Sequence, residues 1–522
     1  MRTFSNRAGQ GAGRVSVAIT ALALLGGCAA TPGETFLTTK TPYQPRQAAA
    51  SYAPAPPGFT PHHTQLVARH GTRGMTGMKH DLALLNMCRQ AALENALTPL
   101  GQALMRDIGR LIEVQLLLGY GIDGIARPGY ANLTRIGIDE HRQLALRVLQ
   151  RQPALFAATG GRSIVVEHSG VDRARDSAYF FTDSLTRAAP QLAAAIEQAV
   201  LAGYPADAPV AQAAGVNRFT LYFHKLNART DAVSGPADPH FATYRDSALY
   251  QQYLDSPRLR ARLDEIASDP RLEVAARIVL ERLFSKQFID RLAARELRFS
   301  NEGTMDAVSA DGKLHARRDG DGKTVLDTPV AALMALSALY EIAPGLQAEL
   351  GRDFRPYIPP EQARLLAWAN DAEDFFVKGP GAAQDVPVTY KMAEGLLADF
   401  FREAEQGSQR HLASFRFTHA EIIIPLAVLL GLPGSSTPVA AGQPFTYESN
   451  PWRGRDIAPY AANIQWDSVR NGQGRLLVRM LVNEQERDFK PACDGARFAA
   501  GSPYYDVAAL RLCYQGGANT AQ

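Results

Sequence analysis

The order of elements in this chain predicts an α/β fold: a mixed-sheet core flanked by helices and interrupted by a large, mainly helical insertion. Three observations carry that expectation. The opening third reads strand–helix–helix–strand–helix, residues 186–405 are dominated by helical periodicity, and strand patterns resume only after residue 410. A sheet split by an insert accounts for this order better than two domains in series. The 522 residues, 46% hydrophobic and 20% charged, suffice for one such domain.

The first 27 residues stand apart. Arg2, Arg7 and Arg14 form a positive stretch without acids, VSVAITALALLGG (15–27) is a short apolar core, and Cys28 follows. Thirteen apolar residues are too few to span a bilayer, so the pattern is that of an export signal. The small residues at 26 and 27 before Cys28 resemble the lipobox of bacterial lipoproteins, whose cysteine is lipidated after cleavage. The expected location is outside the cytoplasm, with the lipid as the only membrane contact. The outer membrane is favoured, because Ala29 is not the aspartate associated with inner-membrane retention in some bacteria. No other stretch reads as long and apolar enough to cross a bilayer. Residues 28–60, rich in Ala, Pro and Thr, read as the lipidated cysteine and a flexible tether. The three signal arginines account for the whole formal charge of +3, so the balanced remainder gives no reason to expect a nucleic-acid partner.

The core elements follow in order. TQLVARHG (64–71) has a strand's length and a glycine stop. Helical patterns cover 81–96 and 98–118, the second with Thr98 as N-cap and Pro99 at the first helical position. LTRIGIDEHRQLALRVLQRQ (133–152) opens a third helix in the same way. SIVVEHSGVDRARDSAYFFTDSL (163–185) reads as a β-branched strand, a turn and a helix. Residues 61–185 and 406–522 therefore share the α/β core, and 186–405 form the insert. In the second part, HLASFRFTHAEIIIPLAVLLGL (411–432) is a strand, turn and helix, and NIQWDSVRNGQGRLLVRMLVNE (463–484) is two strands around an Asn-Gly turn. Within the insert, RFTLYFHKLN (218–227) is expected as an isolated strand or a covering loop, and LLADFFREAE (396–405) as helix packing. Cys88, in a helical pattern, reads as a buried thiol. Cys493 and Cys513, twenty apart, read as a disulfide suited to an oxidising compartment.

Chemistry concentrates in QLVARHGTRGMT (65–76). A strand that ends in Arg69-His70-Gly71-Thr72-Arg73 places its polar residues at the carboxyl edge of the sheet, where α/β proteins gather ligands. Two guanidiniums offer forked donors that match phosphate oxygens. Nearby positive charge disfavours protonation of His70, and a neutral imidazole beside a clamped phosphoryl group is a competent nucleophile. Gly71 allows close backbone approach or positive φ beside it. There is no P-loop, no paired metal-ligand cysteines and no dinucleotide glycine pattern.

This stretch resembles the signature of the histidine phosphatase superfamily, acid-phosphatase branch. Two distant segments agree with it. Arg173, in VDRARDSAYFF, begins a helix bearing Ser177, Ala178 and Phe181 as that branch does, and Thr418-His419-Ala420-Glu421 stands at a strand end. The His-Ala-Glu triplet is similar to multiple inositol polyphosphate phosphatases, where acid phosphatases usually carry His-Asp. LVNE (481–484), followed by Cys493 and Cys513, is also similar to that subfamily. The resemblance implies that His70 attacks phosphorus, that Arg69, Arg73 and Arg173 hold the equatorial oxygens, and that His419 donates a further hydrogen bond to the phosphate. It implies Glu421 as the acid that protonates the leaving oxygen. The substrate would be a small phosphorylated molecule, phytate included, with no cofactor and no metal. A broad acid phosphatase acting on sugar phosphates is the nearest alternative. A non-catalytic anion-binding lipoprotein is a second, and Glu421 separates it, because anion capture has no use for an acid there. Gly74-Met75 departs from the family's usual aromatic or proline and is expected at the substrate mouth. Arg175 is expected on a solvated helix face, His168 as structural, and His224, Lys225, Lys79 and His80 as weaker pocket candidates. Glu421 could instead only cap its helix.

Overall fold

The computed structural model describes residues 36–516 apart from Ala126, Ala158 and 197–214. The signal arginines, the apolar run 15–27 and Cys28 lie outside the described residues. One seven-stranded sheet organises the rest. Its strands are β1 (Phe59–Arg69), β2 (Ser163–His168), β3 (His411–Thr418), β4 (Asn463–Asn471), β5 (Leu476–Val482), β6 (Gln485–Arg487) and β7 (Tyr505–Asp506). The spatial order is β6-β5-β4-β1-β3-β2, with β7 beside β5. β1, β3 and β2 run parallel, whereas β4 pairs antiparallel with both β1 and β5. The sheet is therefore mixed, and its parallel part joins segments from both sides of the insert.

Both faces of the parallel part are covered, which explains the unbroken apolar runs in its strands. Leu66 and Ala68 of β1 join Val166, Phe415 and Phe417 in one cluster, and Val67 between them joins Ile464 and Trp466 in another. Helices α1 (His80–Leu93), α2 (Pro99–Leu116), α3 (Arg135–Arg151) and α4 (Asp172–Ala188) occupy the places the sequence gives them. The Thr98 and Thr134 side chains cap α2 and α3 by accepting from Gly101 and Gly137, worth about 1 kcal/mol each. α3 and α4 cover the first sheet face through Leu144, Val148, Phe181 and Leu185.

Packing draws a different boundary for the helical region. α1 and α2 share a core with the insert: Leu82, Leu85, Leu111 and Ile112 cluster with Leu272, Val279, Leu333 and Leu336. Two of those come from α5 (Pro329–Ile342). Residues 329–350 have the length and composition of a membrane-crossing helix, with mean hydropathy 1.4, contrary to the expectation that no stretch beyond the signal does. In the structure 72% of an 18-residue apolar segment within this stretch is buried, so an interior position explains its composition. The insert also contains α6 (Pro360–Val377) and two short antiparallel pairs, Phe299–Ser300 with Val325–Leu326 and Thr304–Val308 with His315–Asp319. Residues 218–227 are neither strand nor plain loop: Arg218–Leu221 form a short helix and Phe223–Lys225 a 3-10 turn.

The tether expected over 28–60 is corrected from Phe36 onward. Leu37, Thr38, Thr39 and Tyr43 are buried, and β1 already begins at Phe59. Composition misled here because a few anchoring side chains decide the outcome. Burying Leu37 alone contributes roughly 2 kcal/mol. Near the other end, Cys493 and Cys513 form a disulfide whose loop closure contributes roughly 3 kcal/mol. Cys88 is buried in the α1–α2 core, and burial pushes its thiol up to about 12.

Candidate active site

Three parallel strands end at one edge, and each delivers part of the site. Arg69 lies in register with Thr418, so His70 and His419 emerge side by side from β1 and β3, with ring centroids 5.4 Å apart. The His70 N–H donates to the Thr418 carbonyl at 2.8 Å, and the Ser169 N–H after β2 donates to Phe417 at 3.1 Å. Ser169 leads directly into α4, whose first turn carries Arg173. Residues hundreds of positions apart converge because parallel strands share a carboxyl edge.

The signature turn is held by close packing. Gly71 and Gly137 of α3 face each other: a Cβ on Gly71 would lie 2.3 Å from the Gly137 oxygen, and one on Gly137 would lie 2.0 Å from the Thr72 oxygen. Close approach, and not positive φ, is what Gly71 supplies. The buried Glu140 carboxylate accepts from the Thr72 N–H and hydroxyl, both at 2.7 Å, and from the Tyr43 N–H at 2.7 Å. The Gly71 N–H donates to Ser177 Oγ at 3.1 Å, which ties the turn to α4.

These contacts fix the protonation pattern of His70. Its Nδ1 lies 2.9 Å from the Gly71 carbonyl oxygen. A carbonyl only accepts, so Nδ1 carries the proton and Nε2 keeps its lone pair. Burial, followed by the charges of Arg173, Arg69 and Arg73, holds the imidazole well below its ordinary range.

The three guanidiniums are not neutralised by the protein. Among the described residues no carboxylate lies within 4 Å of Arg69, Arg73 or Arg173, and all three have a buried Nε without a hydrogen-bond partner there. Arg69 is the most firmly placed: it donates to the Thr39 and Ala458 carbonyls and lies 4.5 Å from the centre of the Tyr460 ring. Arg73 donates to the Gly74 carbonyl. Arg173 donates to His419 Nδ1 at 3.3 Å, and burial, then Arg73, lowers its guanidinium to about 10. Buried unpaired donors of one sign, aimed around one imidazole, suit an anion with several oxygens.

His419 differs from its expected arrangement. An arginine can only donate, so His419 Nδ1 accepts, and Nε2 is left to donate to Ser169 Oγ at 2.8 Å. Both nitrogens are engaged by protein groups, so the ring positions Arg173. Glu421 sits in the first turn of α7 (Ala420–Leu429), with 38% of its side chain exposed. Burial opposes its ionisation, but the Lys378 ammonium beside it outweighs burial and holds the carboxyl below the usual range.

The weaker candidates divide. His224 is buried, its ring 6.2 Å from that of His419, and burial lowers it to about 4. Lys225 and Lys79 are exposed. His168 is structural, as expected, with Nδ1 accepting from the Gly170 N–H. Arg175 is not solvated: it is buried and pairs with Asp176 at 2.9 Å, because α4 is covered on more than one side. Gly74 and Met75 are buried too and do not line a mouth. A Cβ on Gly74 would lie 2.8 Å from Leu118, and the Met75 N–H donates to the Gln115 side chain. Lys378, Ser169 and Tyr460 are site residues that sequence reasoning missed. The Asp374–Lys378 spacing at a helix end was visible, but nothing in it pointed across to the sheet.

No protein-family model matches the chain, and no curated protein matches it in sequence. Solved structures do. The chain is similar to multiple inositol polyphosphate phosphatase from Bifidobacterium longum in complex with inositol hexasulfate, at 29% identity and TM-score 0.79, over 92% of this chain and 97% of that one. The phosphate complex of that protein gives 29% and 0.79 over 93% and 98%. The phytase from D. castellii, at 11% identity and TM-score 0.53 over 92% of this chain and 84% of that one, is a likeness of fold alone. With motifs, sheet order and full-length overlap in agreement, the chain is similar to the multiple inositol polyphosphate phosphatases of the histidine phosphatase superfamily and is a phosphoric monoester hydrolase.

Proposed function

We propose that the chain hydrolyses inositol polyphosphates, phytate included, through a phosphohistidine on His70. The observation that carries this reading is the set of three uncompensated guanidiniums around an imidazole whose Nε2 is bare. Nε2 attacks phosphorus while Arg69, Arg73 and Arg173 hold the equatorial oxygens, where charge spreads in a loose transition state. The P–O bond of the ester breaks as Glu421 gives its proton to the departing oxygen. Water then attacks phosphorus, its proton goes to Glu421, and the N–P bond breaks to release inorganic phosphate. His419 acts through Arg173, and it donates directly to phosphate only if its bond to Ser169 breaks. The name of the structurally similar Bifidobacterium longum phosphatase supports the substrate class.

Two measurements test this. Phytate is expected to be turned over with a higher kcat/KM than glucose 1-phosphate, and comparable values would favour the broad acid phosphatase. Glu421→Gln is expected to lower kcat on phytate by about 10²–10⁴-fold. It should lower p-nitrophenyl phosphate turnover far less, because p-nitrophenolate leaves without a proton. Equal losses on both would remove Glu421 from the acid's role.

The N-terminal pattern supports export with a lipid on Cys28. Cys28→Ser is then expected to move the protein from the membrane to the soluble fraction, and unchanged membrane retention would contradict the anchor.

A further inference from the structure

Lys378 caps the carboxyl end of α6 and reaches the site from the insert. Its Nζ lies 2.9 Å from Asp374 Oδ1 and 3.7 Å from Glu421 Oε1, with 13% of the side chain exposed. The first contact is a close ion pair. The second is too long for a hydrogen bond, so Glu421 and Lys378 are joined by charge alone, and either can exchange its partner without breaking a directional bond. Lys378 thus sits beside the group that, on the reading above, protonates the leaving oxygen.

We propose that Lys378 reads the charge of the substrate: it holds Glu421 as a carboxylate until a neighbouring phosphate of a polyphosphorylated substrate takes Lys378, which frees Glu421 to pick up a proton from water and act as the acid. This rests on the reading of Glu421 above. A monophosphate carries no second phosphate to draw Lys378 away, so it meets a site whose acid is still held in its charged form. Preference for polyphosphates then arises in the proton-transfer step as well as in binding.

The other charges around Glu421 do not duplicate this. His419 and Arg173 are bonded to each other, and Arg69 is bound to backbone carbonyls. His224 is buried and held neutral to low pH, and burial keeps the nearby Tyr250 hydroxyl protonated. Asp374 faces Lys378 and is the partner it keeps when Glu421 is released. Lys378 is the charge that does most to keep Glu421 ionised, and with Asp374 and Glu421 beside it the ammonium is held above its ordinary range despite burial.

The test compares wild type with Lys378→Met and Lys378→Arg on glucose 1-phosphate, phytate and p-nitrophenyl phosphate across pH. Removing the cation raises the pH up to which Glu421 stays protonated. The alkaline limb of kcat/KM for glucose 1-phosphate is expected to move up by about one pH unit or more in Lys378→Met. It should stay in place in Lys378→Arg. On phytate the limb of kcat should barely move while KM rises roughly tenfold or more, since a charge-assisted phosphate contact is lost. p-Nitrophenyl phosphate, which needs no acid, should show neither change. Asp374→Asn with Lys378→Met removes the carboxylate stranded by the single variant, and its limb should match. An unmoved limb with glucose 1-phosphate in both variants, or equal losses on all three substrates, would overturn the proposal. If wild type released no phosphate from phytate, the substrate reading would fall, and the glucose 1-phosphate limb would still decide whether Lys378 governs Glu421.

Discussion

His70→Ala is expected to abolish phosphate release, lowering kcat on both phytate and p-nitrophenyl phosphate by roughly 10⁴-fold or more, about 5 kcal/mol of barrier. The loss should not depend on the leaving group, because the bond that forms is lost whichever bond breaks. This distinguishes it from Glu421→Gln. The arginines remain in the variant, so inorganic phosphate should still bind, and the melting temperature should hold because the turn is fixed through Gly71, Thr72 and Glu140. With labelled substrate and an alkaline quench, which preserves an N–P bond, the wild type should carry label and the variant none. The sign of the pH effect follows from the site: burial and three guanidiniums disfavour the charged imidazole, so Nε2 remains a nucleophile well below the pH at which an ordinary histidine protonates. Activity should persist into acid solution, and EDTA should leave it unchanged because fixed cations form the clamp. More than about 1% residual kcat in a folded, phosphate-binding variant would show that His70 is not the nucleophile.

What the sequence made legible is what depends on neighbours along the chain. β1 with its glycine stop, the threonine caps of α2 and α3, and the hairpin of β4 and β5 are all set within a few residues of each other. The catalytic groups were legible for a related reason: Arg69 and His70, Arg173, and His419 and Glu421 each sit at a strand end or helix start, where local pattern names the position. Contacts made across hundreds of residues were not legible. Lys378 lies on an insert helix with no strand nearby in sequence, and Ser169 and Tyr460 matter only through partners from other segments. Gly74, Met75 and Arg175 show the converse error. Their neighbours suggested an open mouth and a solvated face, but tertiary packing from α2 and the sheet buries all three.

The largest effect outside the catalytic residues is expected from the arm that composition disguised as a tether. Thr39 presents its carbonyl to Arg69, Thr41 accepts from the Tyr460 N–H, and Tyr43 donates its N–H to Glu140 and its hydroxyl to Glu484. Glu140 in turn holds Thr72 of the signature. Residues 36–46 therefore support the phosphate clamp from two directions, through Arg69 and through the turn that follows His70. A chain that starts at Phe36 should keep full kcat. One that starts at Gln47 strands the buried Glu140 and Glu484 carboxylates with fewer donors and leaves Arg69 with one carbonyl. Small displacements of groups that must meet phosphorus are costly, so kcat should fall by about 10²-fold or more, with a lowered melting temperature. A peptide of residues 36–46 added to the shorter chain should restore part of the rate, which separates loss of the arm from general damage. Equal kcat in the two truncations would show that the arm only covers the surface and that Arg69 is positioned without it.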